Sequence, residues 1–366
     1  MRKALVIGIV MVLAVVAEYV PDRFVIKFTE DVAPDYVNGI VHTAIARVDN
    51  LNIQYQVNNF ELLYEPETQL SEDDPYYTEG VNRIFIFHTT AGGNMESVAA
   101  SYLGDYVEYC EADYLPNETD ELMVGQNQNQ LPVPSNFVPQ DDEYHKQWYL
   151  HNTGFRPDYD FPPCEQEFFW LWKETPRRYE AGIDINAEPA WDQQNGQGSA
   201  GWQVAICSDG LGDNWDPIYC KDLDPNRILA GYNAINPGSN VFQSTVSDHG
   251  GYNGTLYAGI IGATWTGSTP LRMTNVVGID RYCKIIPIKV WNSSIKQAST
   301  AILARGIYGA LDRGADVILT TTTYNYTIIS DVLHQAVGDA LKKDAFCVSP
   351  AYDPANFNAC SPAIFG

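Results

Sequence analysis

The chain has 366 residues, 45% of them hydrophobic, and a formal net charge of −24. That length holds two domains, or one large domain and one small, with apolar residues enough for a core. The acidic excess excludes nucleic acid and anionic membranes as partners and fits a soluble extracellular protein, with calcium as a cation such a surface can take.

In chain order, Arg2-Lys3 and the apolar run Ala4 to Val16, closing on Val15-Val16-Ala17, read as a secretory signal peptide over 1–17. The run is short for a spanning helix and no later stretch is long enough, so the mature chain is expected to be secreted and not membrane-spanning. Secretion permits disulfides, and the seven cysteines leave at least one free. Cys207 and Cys283 lie in strand-like apolar runs and read as buried thiols. Cys164 with Cys220, and Cys347 with Cys360, remain open pairings. No spacing resembles a zinc site.

Residues 18–114 form one unit. Phe24 to Phe28 is a strand, and Asp35 to Val48 has helical spacing through Val37, Ile40, Val41, Ala44 and Val48. Phe60 to Tyr64 and Arg83 to His88 are strands, Glu96 to Leu103 is a helix, and Val107 to Glu111 is a last strand. The order β-α-β-β-α-β is a split βαβ, or ferredoxin-like, unit. Residues 115–140, with Gln126-Asn-Gln-Asn-Gln130 at their centre, are a polar linker without a core.

Residues 141–366 alternate strand and helix. Phe155 to Ala181 interrupts the pattern as a surface insertion. Strands are expected at Gln203 to Cys207, Arg227 to Tyr232, Lys284 to Trp291, Asp316 to Thr320 and Ala345 to Val348. Helices are expected at Thr255 to Ala263, at Ala298 to Asp312 before Gly314, and from a Ser330 cap through Lys343. This predicts an α/β domain, a parallel sheet with helices on both faces. In the glycine-rich helix Gly254, Ala258 and Gly262 share one stripe, with Gly259 and Ala263 beside it, which predicts close packing on a neighbouring backbone.

Gly254-Thr-Leu-Tyr-Ala-Gly-Ile-Ile-Gly-Ala263 resembles the histidine motif of the subtilisin-like serine proteases, Gly-Thr-His-Val-Ala-Gly-Ile-Ile-Gly-Ala, at eight of ten positions. Lys146 to Gly154 and Gly182 to Trp191 resemble the opening of that family's mature domain. Val204-Ala-Ile-Cys-Ser-Asp-Gly-Leu211 resembles its aspartate motif, Val-Ala-Val-Ile-Asp-Thr-Gly-Val. The resemblance implies a subtilisin-like sheet, makes 18–114 similar to the family's propeptide (a folding chaperone and temporary inhibitor), and implies a peptide or protein substrate.

On this alignment the triad positions are altered. The histidine position holds Leu256, which carries no proton-accepting nitrogen, and the aspartate position holds Ser208, which cannot stabilise an imidazolium as a carboxylate does. Asp209, one residue on, is expected to point to the other side of an extended chain and to belong to a turn. His249 is a displaced base only if its loop folds back, and otherwise faces solvent. The oxyanion-hole asparagine of the family becomes Asp353, whose charge opposes a developing oxyanion. No Gly-Thr-Ser-Met-Ala nucleophile motif occurs in the sequence. Asp213, Asp216, Asp222 and Asp224 offer hard oxygen ligands for calcium, without the spacing of an EF-hand loop.

The leading expectation is therefore a secreted, catalytically incomplete relative of the subtilisin-like proteases, a pseudoprotease or a fragment of a longer product. One alternative is an active protease that uses Asp209 and His249 and is completed by downstream sequence. A second is a non-catalytic binding or inhibitor protein acting on a partner protease. A nucleotide site at Ser208-Asp-Gly-Leu-Gly212 lacks the G-x-G-x-x-G spacing.

Overall fold

Alternation along the strands sorts the apolar residues onto two faces of each of two sheets. The computed structural model describes residues 18–67, 70–115, 139, 144, 147, 150, 184–194, 201–212, 223–239, 241, 253–265, 276–291, 298–322 and 330–350. The segment expected as a signal peptide, most of that expected as a linker, the expected insertion, and Cys164, Cys220 and Cys360 lie outside them.

The first unit contains β1 (Tyr19–Phe28), β2 (Asp35–Val37), β3 (Ile40–His42), α1 (Ala46–Gln54), β4 (Val57–Leu62), α2 (Pro75–Thr78), β5 (Ile84–Thr89), α3 (Met95–Tyr102) and β6 (Val107–Tyr114). Its four-stranded sheet runs β4-β5-β1-β6, and every neighbouring pair is antiparallel. Phe24, Ile26, Phe28, Phe85 and Phe87 face one way and bury Val48, Met95, Val98 and Tyr102 from the helices. Val25, Ile84, Ile86 and Tyr109 face the other way.

The helix expected over 35–48 is corrected. Asp35 to His42 is a hairpin, and the helix starts at Ala46. Asn38 and Gly39 adopt φ of 57° and 78°, the pair of left-handed residues that a tight hairpin turn needs. Ala44, at φ 64°, also stands outside helical geometry. The apolar spacing that looked helical came from two short strands read as one element.

Within this unit Tyr102 donates its hydroxyl to Asn52 Oδ1 at 2.9 Å, and Asn52 Nδ2 donates to the Val41 carbonyl at 2.8 Å. Tyr102→Phe is expected to destabilise the chain by about 1–2 kcal/mol, because it strips a partner from a buried amide. Urea denaturation should show a lower midpoint with an unchanged slope.

The second unit contains α4 (Ala187–Gln193), β7 (Gln203–Ser208), β8 (Tyr232–Asn233), α5 (Asn253–Gly262), β9 (Lys284–Lys289), α6 (Thr300–Asp312), β10 (Val317–Thr320), α7 (Asp331–Lys342) and β11 (Phe346–Val348). Its five strands lie in the order β11-β10-β7-β9-β8 and all pairs are parallel. Val204 and Ile206 of β7 pack with Ala258 of α5, while Ala205 and Cys207 pack with α6 and α7. Helices therefore cover both faces. The strand expected over 227–232 is shorter than predicted: Pro225–Arg227 form a 3-10 turn, Ile228 makes one isolated bridge, and only Tyr232–Asn233 pair. Among the described residues no helix is long and apolar enough to cross a membrane.

The two units share a core. Val25, Leu63, Tyr64, Ile84, Ile86 and Tyr109 of the first belong to the same buried cluster as Ala301, Ile302, Val332 and Ala336 of α6 and α7. Alternate residues of β6 reach the starts of both helices. Asp113 accepts from the Ala301 amide at 3.0 Å and pairs with Arg23 Nε at 2.6 Å. Glu111 accepts from the Ser330 hydroxyl and the Asp331 amide. Carboxyl oxygens at helix N-termini satisfy amides that have no partner within the helix.

Candidate functional site

In a parallel α/β sheet, ligand crevices open at the carboxyl ends of strands near the point where strand order reverses. Here that point is β7, the first strand of the unit in sequence and the third in space. β7 ends at Ser208, and the chain turns through Asp209 and Gly210 against the start of α5.

The approach is close. A methyl group on Gly254 would lie 2.0 Å from the Gly210 carbonyl oxygen and 2.4 Å from Ser208 Oγ. Only glycine fits there. Asp209 Oδ1 accepts the Gly254 amide at 2.8 Å, and Thr255 Oγ1 accepts the Gly212 amide at 2.9 Å. Asp209 is 2% exposed and Ser208 3%. The Ser208 hydroxyl is buried without a hydrogen-bond partner.

One expectation changes. Asp209 was expected to turn away, but the tight turn after β7 brings its carboxylate back onto the first turn of α5. It anchors an orphan helix amide there. Leu256, which the alignment puts at the family's histidine position, is 54% exposed on α5. The buried stripe of that helix is Gly254, Thr255, Ala258, Gly259, Gly262 and Ala263, so Leu256 and Ile260 fall opposite it. The part of α5 that meets Ser208 and Asp209 is its start, Asn253 to Thr255. Sequence comparison missed the role of Thr255, whose signal was its place directly after a glycine that has to pack closely.

His249, Asp353, Asp213, Asp216 and Asp222 lie outside the described residues. Asp224, the remaining member of the acidic quartet, is engaged in its own turn. Its Oδ1 accepts from the Asn226 amide at 2.9 Å and from Asn226 Nδ2 at 3.0 Å. Among the described residues no group of three or more His, Cys, Asp or Glu is placed to hold a metal.

Cys110, Cys207, Cys283 and Cys347 are thiols. Burial pushes the Cys207 thiol well up, and pushes Cys283 up to about 12. Cys207, though adjacent to Ser208, is therefore held as a thiol and is no nucleophile. Thr320, the last residue of β10, donates its hydroxyl to the Val348 carbonyl at 3.4 Å, and Thr321, just beyond the strand, donates Oγ1 to the Cys207 carbonyl at 3.0 Å.

No family model matches the sequence, and no curated protein matches it. Solved structures do, and those neighbours are subtilisin-like serine proteases. The epidermin leader peptide processing serine protease EpiP of Staphylococcus aureus is 13% identical, with a TM-score of 0.47, over 92% of this chain and 62% of that one. The protease domain of PatA, in a mutant form, is 21% identical, with a TM-score of 0.37, over 46% of this chain and 55% of that one. The PatG macrocyclase domain is 18% identical, with a TM-score of 0.34, over 48% of this chain and 58% of that one. The chain thus spans less than two thirds of the length of these neighbours.

Proposed function

We propose that this chain is a secreted member of the subtilisin-like protease family that does not hydrolyse peptide bonds by the serine mechanism. Residues 18–114 then act as its propeptide-like folding partner, and a peptide, a protein or a partner protease is its ligand. One observation carries the reading of the site. The helix start that meets Ser208 and Asp209 reads Asn253-Gly-Thr-Leu256, and none of these residues is a histidine. A triad needs a base within hydrogen-bond reach of the nucleophile and a carboxylate to orient that base. Neither Ser208 nor any residue of this turn supplies the base. Removing one triad member already lowers turnover by roughly 10⁴- to 10⁶-fold.

A second reading is favoured by Asp209. Its carboxylate is buried and faces the start of α5, where an orienting carboxylate would be useful. That reading needs His249 as base.

A fluorophosphonate probe and a peptide-hydrolysis assay distinguish the two. We expect no labelling and no turnover for the chain or for Leu256→His, since position 256 looks away from β7. Labelling of a single serine that heat denaturation abolishes would overturn the proposal and make Asp209 and His249 the working pair.

A further inference from the structure

Glu111 has no use in the site and an unusual setting. It lies on β6, 8% exposed, within the core shared by the two units. Its Oε1 accepts the Ser330 hydroxyl at 2.7 Å and the Val332 amide at 3.4 Å. Its Oε2 accepts the Asp331 amide at 2.6 Å. All of these donors are neutral. Asp113, two residues on, has the Arg23 guanidinium beside it at 2.6 Å. Among the described residues no lysine, arginine or histidine pairs with Glu111, so an ionised Glu111 is a desolvated charge held by a helix start alone.

The groups around it deepen the contrast. On α7, Asp331 opposes its charge and His334 is exposed one turn away. On β6 itself Tyr109, Cys110 and Tyr114 are all pushed up, by burial first and by Glu111 among other charges. On β1, Lys27 is committed to Glu108 at 2.9 Å and Arg23 to Asp113. From α6, Thr300 and Ala301 hydrogen-bond to this strand, and both are uncharged.

We propose that the Glu111 carboxyl is a pH-sensitive latch, which seats the N-terminal sheet on α7 in acid and loosens that seat as the solution becomes neutral and then alkaline. Burial pushes Glu111 up to about 8, against the pull of the Ser330 hydroxyl and the Asp331 amide. A carboxyl raised in the docked state keeps its proton there while the undocked form has lost it. The seat is therefore fully strong below about 4.5, the ordinary value, and weakens as pH rises from there to about 8. The loss reaches at most roughly tenfold per pH unit.

Glu61, another shifted carboxyl at the junction, acts outside this window. Burial would raise it, but its hydrogen bond with His88 and the Arg305 charge hold it at about 2. Its contribution is present above 4.5 and lost only as pH falls toward 2. Asp339 is also raised, by burial, against hydrogen bonds from Tyr308 and Lys342. It sits farther along α7 and adds the same sign at a different place. The latch does not depend on whether the site is catalytic.

The test uses the full chain with ¹³C-labelled glutamate. The Glu111 carboxyl signal, assigned by its loss in Glu111→Gln, is titrated in the wild type. In parallel, exchange protection of the Asp331 and Val332 amides is followed from pH 5 to 8, each rate divided by the intrinsic rate at that pH. We expect a midpoint far above that of an ordinary glutamate, with protection falling through the same range by up to roughly tenfold per unit. In Glu111→Gln the protection should be level. A midpoint in the ordinary range, or level protection in the wild type, overturns the latch. If Glu111→Gln fails to fold, site-independent assignment of the wild-type carboxyl still decides the matter.

Discussion

Arg305→Met is expected to destabilise the full chain by about 3 kcal/mol. Arg305 lies on α6, in the centre of the shared core, and is 3% exposed. Its Nε donates to the Leu63 carbonyl at 2.5 Å, Nη1 to the Ala234 carbonyl at 3.1 Å, and Nη2 to Glu61 Oε2 at 2.8 Å. One guanidinium thus ties β8's exit in the second unit to the end of β4 in the first. Methionine keeps much of the packed stem but leaves two carbonyls and a carboxylate without this donor. A buried acceptor left unpaired costs about 1–3 kcal/mol. Glu61 is 38% exposed at its side chain and regains water, so most of the loss comes from the carbonyls. Urea denaturation of the full chain measures it, and a change below about 0.5 kcal/mol would show that the guanidinium is not what couples the units. Arg305→Lys should recover only part, because an ammonium cannot span three acceptors in this planar arrangement.

Much of this architecture was legible in the sequence because period and caps agree. The stripe Gly254, Ala258 and Gly262 is buried as its spacing required. Ser330 does cap α7, accepting the Leu333 amide. Gly314, at φ 74°, does end the helix before β10. The failures have physical causes too. Short strands joined by a two-residue turn imitate a helical spacing, and the Asn38-Gly39 signal was the discriminating feature. The site was harder to read. A motif match assigns positions along a line, whereas the side of a helix that meets a strand is set by which residues are small enough to approach. That rule places the start of α5 at Ser208 and turns Leu256 outward. The burial of Asp209 was likewise invisible, because extended geometry does not survive the tight turn at Gly210. Arg305 gave no sequence signal at all: its acceptors come from residues 61 to 63 and from 234, distant in sequence and brought together only by docking of the two units.

Gly254→Ala is expected to destabilise the chain by about 3 kcal/mol or more, although alanine is the better helix former by roughly 1 kcal/mol. The added carbon would meet the Gly210 carbonyl oxygen at 2.0 Å, and that atom is main chain, so no rotamer change can relieve it. Either α5 moves off the end of β7 or the turn after Ser208 opens. Each movement breaks the Asp209–Gly254 and Thr255–Gly212 hydrogen bonds, which hold the two elements together. Asp209→Asn makes the comparison informative. An amide oxygen still accepts from Gly254, so at this contact it is the attraction between a full charge and the helix start that is lost, about 0.3–1 kcal/mol and up to roughly 2 where burial is favourable. If Asp209 is an anchor, the glycine substitution is far the more damaging of the two, and amide exchange quickens along α5 in Gly254→Ala while changing little in Asp209→Asn. The measurement is urea denaturation by circular dichroism together with residue-resolved exchange. A Gly254→Ala chain as stable as the wild type would mean that α5 does not rest on β7 as described, and the placement of the whole site would fall with it.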